Sequence, residues 1–188
     1  MLTLKIGKSS LHIRFSFLFI VSLFLLLEQL SIGRKLLAAV LLHEIGHLLV
    51  LILQGKAPEQ VDCSLRGIVI HSGERHNSLA GELLLHLAGP LMNLLCMALL
   101  WERDMFACAF HLILAAVNLL PIQPLDGGNI TELLLEQILP PERVHTACRR
   151  VSFCALIVLF VCALPLLLHG KNPSLLLFAL LLAAQNRK

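Results

Sequence analysis

Leu36-Leu37-Ala38-Ala39-Val40-Leu41-Leu42-His43-Glu44-Ile45-Gly46-His47-Leu48-Leu49-Val50-Leu51-Ile52-Leu53 is an apolar run broken by three ionisable side chains. On a helix, positions i and i+4 share a face, so His43 and His47 point the same way and can grip one metal ion. Glu44 is adjacent, placed to act as general base on a metal-bound water. The pattern His-Glu-x-x-His is short, and alone it says little. Its setting makes it informative. A charged group at membrane depth costs about 2.5 kcal/mol or more on insertion scales. Three ionisable groups together therefore point to a wet, functional cavity.

The rest of the chain supports a membrane setting. Of 188 residues, 57% are hydrophobic and 14% charged, and the mean hydropathy is +0.84. A soluble domain has about 45–50% apolar and about 25% charged residues. The expectation is an integral membrane protein forming one transmembrane domain over residues 1–188. A net charge of +3 is too small to suggest a nucleic-acid partner. The six cysteines show no Cys-x-x-Cys spacing, and most fall in apolar segments, as expected of buried reduced thiols rather than a disulfide framework. Lys5, Lys8 and Arg14 ahead of Phe15 to Leu27 have the look of a signal peptide, with Ser31-Ile32-Gly33 as a cleavage site. Cleavage there would leave the histidine helix as a bare N-terminus, so a retained first span is expected.

The predicted fold is all-α and polytopic, with about six transmembrane helices. The spans are His12 to Ile32, Arg34 to Leu53, Leu79 to Leu100, Met105 to Leu120, Val151 to Leu168 and Pro173 to Ala184. The last is short for a crossing, which needs about 20 residues, so five spans remain open. Between the second and third spans, Val61 to Arg66 alternates apolar and polar, and Ile68-Val69-Ile70 follows Gly67. That reads as one or two short strands or a hairpin. Asn129 with Glu132 resembles a capping box, followed by an amphipathic helix that Pro140-Pro141 ends. With six spans, eleven of the 15 Lys and Arg fall on one side. The positive-inside rule then puts both termini in the cytosol and the site toward the cytosolic side of the cell membrane.

A second stretch completes the site. Asn118-Leu119-Leu120-Pro121-Ile122-Gln123-Pro124-Leu125-Asp126-Gly127-Gly128 ends the fourth span. Pro121 and Pro124 break the helix, and Gly127 and Gly128 permit unusual backbone angles. Irregular backbone at membrane depth is tolerated only beside a cavity or inside protein. Asp126 is thus expected on a non-helical segment near the depth of His47. A catalytic zinc takes three protein ligands and keeps one open position. His43, His47 and Asp126 supply that set, with one Zn2+ per chain and Glu44 as the catalytic base.

Three pieces in this order resemble the site-2 proteases, the intramembrane zinc metalloproteases. They are His43 to His47, Ala88-Gly89-Pro90-Leu91-Met92-Asn93, and the Asn118 to Gly128 stretch with its Leu-Asp-Gly-Gly core. The resemblance implies a peptidase cutting transmembrane or membrane-adjacent protein segments, with a catalytic core over about 34–128 and accessory C-terminal spans over about 151–186. It also implies that Asn118 helps hold extended substrate. Gly89, Pro90, Asn93, Pro121, Pro124, Gly127 and Gly128 are expected to support the site. The small size and absence of a PDZ insertion resemble the branch that includes the sporulation pro-sigma-factor protease. Many of those carry a C-terminal CBS domain. The chain ends at Lys188 with none, which argues against ATP regulation and a sporulation substrate. An unwound substrate could add to an exposed strand edge near Val61–Ile70.

Two other classes use the same ligands. A metal transporter or sensor should show a relay of polar groups across the bilayer, and the spans offer only scattered candidates. A degenerate protease serving as a membrane scaffold has no need of Glu44. Substrate and oligomeric state are not legible in the residues.

Overall fold

The computed structural model describes residues 2–6, 9–13, 22, 32–56, 60–64, 67–71, 78–168 and 174–185. The chain packs as two compact units, Met1–Ala116 and Val117–Lys188.

The first unit contains strands β1 (Leu2–Ile6) and β2 (Ser9–Ile13), helix α1 (Ile32–Leu53), strands β3 (Gln60–Ser64) and β4 (Gly67–His71), and helices α2 (Leu79–Leu100) and α3 (Met105–Asn118), the last crossing the unit boundary. The strands form one sheet in the order β1-β2-β3-β4. Its outer pairs are antiparallel and β2 runs parallel to β3. A parallel pair needs a crossover of a dozen or more residues, and α1 lies in that connection. The alternating stretch after α1 lies in β3 and β4, which pair Val61 with Ile70 and Cys63 with Ile68. Since β3 is flanked on both sides, the edges among the described residues are β1 and β4.

Two departures from the all-α expectation follow. Leu2–Ile6 and Ser9–Ile13 are strands, so His12 and Ile13 do not open the first span. Residues 14–21 and 23–31, the remainder of that span, lie outside the described residues. Nor are six spans found among the described residues. Among the described residues, three helices are long and apolar enough to cross a membrane: Ile32–Leu53, Leu79–Leu100 and Pro141–Pro165. Helix α3 has 14 residues, or roughly 21 Å at about 1.5 Å per residue, short of a hydrocarbon core of about 30 Å.

Helices α1 and α2 pack against each other. Ala39, His43, Gly46 and Leu51 form the buried side of α1, while Leu41, Ile45, Leu49 and Ile52 are exposed on the other. On α2, Ala88, Gly89, Pro90 and Asn93 are buried and Leu84, Leu91, Leu95 and Leu99 exposed. Small and polar groups face inward and leucines outward, the arrangement lipid selects. A Cβ on Gly46 would lie 2.6 Å from the Ala88 carbonyl oxygen and 2.9 Å from Met92 Cβ. Glycine there lets the two backbones approach. Gln54 Nε2 donates to the Gly81 carbonyl (3.1 Å), tying the end of α1 to the start of α2.

The second unit contains α4 (Asp126–Glu136), α5 (Pro141–Leu168) and α6 (Ser174–Gln185). The fifth span was expected to begin at Val151; its helix starts ten residues sooner, at Pro141. Proline is tolerated in a first helical turn because its missing N–H would be unpaired there anyway. Helix α6 has 12 residues, well short of a crossing. The capping box does not form: α4 begins at Asp126, the Asn129 amide already donates to the Leu125 carbonyl (3.1 Å), and Glu132 accepts from Gln123 Nε2 (2.9 Å). Asp126 accordingly opens a helix rather than sitting on irregular chain. Gly127 and Gly128, which suggested a flexible break, are recruited into its first turn.

Candidate metal centre

Helix α1 delivers His43 and His47 to one face, and the rings meet edge to face with centroids 4.8 Å apart. Their Nε2 atoms are 3.2 Å apart. Two nitrogens on a tetrahedral zinc, at about 2.0–2.1 Å each, lie roughly 3.3 Å from one another. The pair is thus spaced as two ligands of one ion. Glu44, the next residue along the helix, is half-buried.

Each imidazole is held from behind. His47 Nδ1 lies 2.7 Å from the Leu85 carbonyl. A carbonyl only accepts, so Nδ1 carries the proton and the lone pair of the neutral ring is on Nε2. His43 Nδ1 lies 3.1 Å from the Asn93 side-chain amide, and Asn93 lies 3.0 Å from His111 Nδ1. All three are nearly sealed from solvent, at 5%, 0% and 2% exposure for His43, Asn93 and His111. Zinc-binding histidines are generally oriented by such partners. Gly89 completes the cradle. A Cβ there would press on His47 Nε2 and lie 2.6 Å from His43 Cε1, so only glycine leaves the ligand face open. Pro90 is buried beside it.

Asn93, expected in a supporting role, lies against His43. The Leu85 carbonyl went unforeseen, because a backbone group leaves no trace in sequence. His111 had a weak signal. It lies on the buried stripe of α3 with Ala107, Cys108 and Ala115, where a polar residue needs a partner.

In the second unit, Asn118 is the last residue of α3 and Asp126 the first of α4; both are half-buried. Residues 119–125 between them are irregular, with Pro121 half-buried, Pro124 exposed and a cis bond at Gln123–Pro124. Several supports fix this loop. Ile122 is fully buried in a cluster with Leu156 of α5 and Leu182 of α6, and Leu120 and Leu125 pack on the same cluster. The Gln123 amide donates to Ser152 Oγ (3.4 Å), and the Leu125 amide to the Ile122 carbonyl (2.8 Å). A Cβ on Gly127 would overlap the Leu119 carbonyl, and one on Gly128 would lie 2.7 Å from Ile122 and Gln123 backbone atoms. These glycines bring the start of α4 against the loop. Helices α5 and α6, expected to be accessory, thereby act as the mould for the segment that presents Asp126. Sequence reasoning missed Ile122 and Ser152 because their partners lie far along the chain.

Comparison with known proteins gives three similarities. The model of peptidase family M50 matches residues 104–159, from the turn before α3 into α5. The chain is 30% identical over 136 residues to stage IV sporulation protein FB of Bacillus subtilis (strain 168). The alignment with the Bacillus relative takes in 66% of this chain and 47% of that protein, so the chain spans about half the length of the curated relative it matches. The fold is that of the site-2 protease from Methanocaldococcus jannaschii, with a TM-score of 0.69 over 99% of this chain and 93% of that one, at 20% identity. The M50 match contains Asn118 and Asp126, whereas the histidine helix falls outside it.

Proposed function

We propose that this protein is an intramembrane zinc metalloendopeptidase in which His43, His47 and Asp126 hold one zinc ion and Glu44 is the general base. The observation that carries the reading is the histidine pair, with facing Nε2 atoms at a zinc-ligand separation. Support also comes from the glycine that leaves their face open, and from the family match over the loop that carries Asp126.

Bound zinc would act as a Lewis acid and bring the pKa of its water toward about 7. The chain supplies the rest. Glu44 takes the proton from the attacking water and passes it to the departing amine. Leu85 and Asn93 keep the imidazoles turned toward the cleavage point. The leucine faces of α1 and α2 keep bulk water out, and lipid meets them. Asn118, closing α3, holds the substrate backbone in extended form. A helical peptide bond is shielded, so the substrate must unwind before it is cut. The substrate is a membrane-spanning or membrane-associated protein. We place the chain as a multi-pass protein of the cell membrane with cytosolic termini on the six-span reading of the sequence, under which eleven of its 15 Lys and Arg fall on one side.

The test is metal analysis of detergent-purified protein together with cleavage of candidate single-span proteins. Glu44→Gln should retain zinc and lose about 10²-fold or more in cleavage rate. Asp126→Ala should bind zinc more weakly. Full proteolysis by Glu44→Gln would remove the assigned base, and undiminished zinc affinity in Asp126→Ala would remove that ligand.

A further inference from the structure

His43, Asn93 and His111 form a continuous buried chain from α1 through α2 to α3. Its outer member is not needed to complete a zinc ligand set. The direction in which its hydrogen bonds run is nevertheless constrained by the ligand role of His43.

A metal takes the lone pair of a bare ring nitrogen. His43 and His47 turn Nε2 toward each other, so Nε2 is the ligand atom of each and the ring proton must sit on Nδ1. For His47 this is settled by the Leu85 carbonyl. For His43, Nδ1 faces the Asn93 amide, which can either donate or accept. With Nδ2 toward His43 and Oδ1 toward His111, Nδ1 of His43 is bare and Nε2 carries the proton, the form that cannot bind zinc. A half-turn of the amide exchanges two atoms of nearly the same size. Oδ1 then accepts from His43 Nδ1–H, and Nδ2 faces His111. Asn93 is fully buried, so that Nδ2–H needs an acceptor, and His111 Nδ1 lies 3.0 Å away on that side. His111 must then be bare at Nδ1 and carry its proton on Nε2.

We propose that His111 is a positioning residue for the metal centre: by accepting from Asn93 it turns the Asn93 oxygen toward His43 and holds His43 in the zinc-binding tautomer. The proposal rests on the reading of His43 as a ligand. His111 touches neither metal nor substrate and acts only through Asn93.

The experiment uses the full chain in detergent, with zinc affinity measured by chelator competition and imidazole protonation sites read by 15N NMR at roughly pH 8.5, where unperturbed histidines are neutral. His111→Leu removes the acceptor and should weaken zinc binding about 10–100-fold, the usual range for a lost orienting partner. His111→Asn, whose side-chain oxygen can accept in place of Nδ1, should recover most of that loss. Zinc-loaded wild type should show His111 protonated on Nε2 and His43 on Nδ1. This spectrum decides the matter even where His111→Leu does not fold. Wild-type affinity in His111→Leu, failure of His111→Asn to bind more tightly than His111→Leu, or a proton on His111 Nδ1 in the loaded protein would overturn the proposal alone. A wild-type chain that takes up no zinc would overturn the functional reading and this one with it.

Discussion

His43 and His47 stand on a regular helix, whereas Asp126 follows the irregular backbone of residues 119–125. The histidine side is made by periodicity. Four residues of helix bring the two rings to one face, and small residues on α2 let that face come close. The aspartate side is made by anchoring. Its backbone follows no repeat, and Ile122, Ser152 and two glycines hold it from elements further along. The difference teaches where each half is vulnerable. Damage to the first half should show in the metal. Damage to the second should show first in the fold of the loop.

The sharpest way to break this comparison is Ile122→Ala. The side chain is fully buried between α5 and α6, and truncation of such a residue typically costs about 2–5 kcal/mol. Cleavage should be lost and protease nicking near residues 119–125 should rise, while the imidazole 15N signals of His43 and His47 in zinc-free protein stay as in wild type. An Ile122→Ala protein with an unaltered melting temperature and full activity would show that the loop does not depend on that anchor.

Two glycine substitutions then sharpen it, because the added methyl meets different atoms. At Gly127 it meets the Leu119 and Leu120 carbonyls, which are backbone and cannot swing aside. Gly127→Ala should lower stability by about 1–3 kcal/mol, in the range of overpacked sites. At Gly89 it meets imidazole ends, which can rotate. Gly89→Ala should keep a near-wild-type melting temperature and bind zinc much more weakly. Equal behaviour of the two variants in thermal unfolding and in zinc affinity would erase the distinction between the halves.

The same contrast explains what could be read before folding. The histidine pair, its helix and the helix of Leu79–Leu100 were legible because helical spacing is a local property of sequence. So was the position of the loop, since Pro121 and Pro124 end α3 wherever α3 lies. The start of α4 at Asp126 was not legible. Gly127 and Gly128 are poor helix formers by local preference, and only the close approach to Leu119 and Ile122 explains their place in a first turn. The strands at residues 2–6 and 9–13 were hidden for a related reason. Strand formation depends on pairing partners, and β2 finds one of its own only beyond α1, in β3.

The smallest effect concerns a clamp on the histidine side. Asp104 accepts the Ala107 amide at 3.0 Å, capping α3, and pairs with Lys35 near the start of α1 at 2.7 Å. The Lys35 hydrogen bond, then the Ala107 amide, hold the Asp104 carboxyl below the usual carboxylate range. A carboxylate with a depressed folded pKa contributes stability above its unfolded value, near about 3.9, and loses it as pH falls through the lower folded value. The pair is partly solvated, so the contribution is small and salt-screened. Asp104→Asn keeps a capping oxygen but drops the charge. Its melting temperature should fall slightly below wild type at neutral pH, and the two curves should converge as pH drops below about 4 or as salt is raised. Zinc affinity should not change, because the clamp lies at the start of α1 and not among the partners of its histidines. A zinc affinity that follows the Asp104 titration would mean that the histidine face is not held by local helix packing alone, and the contrast with the loop would lose its basis.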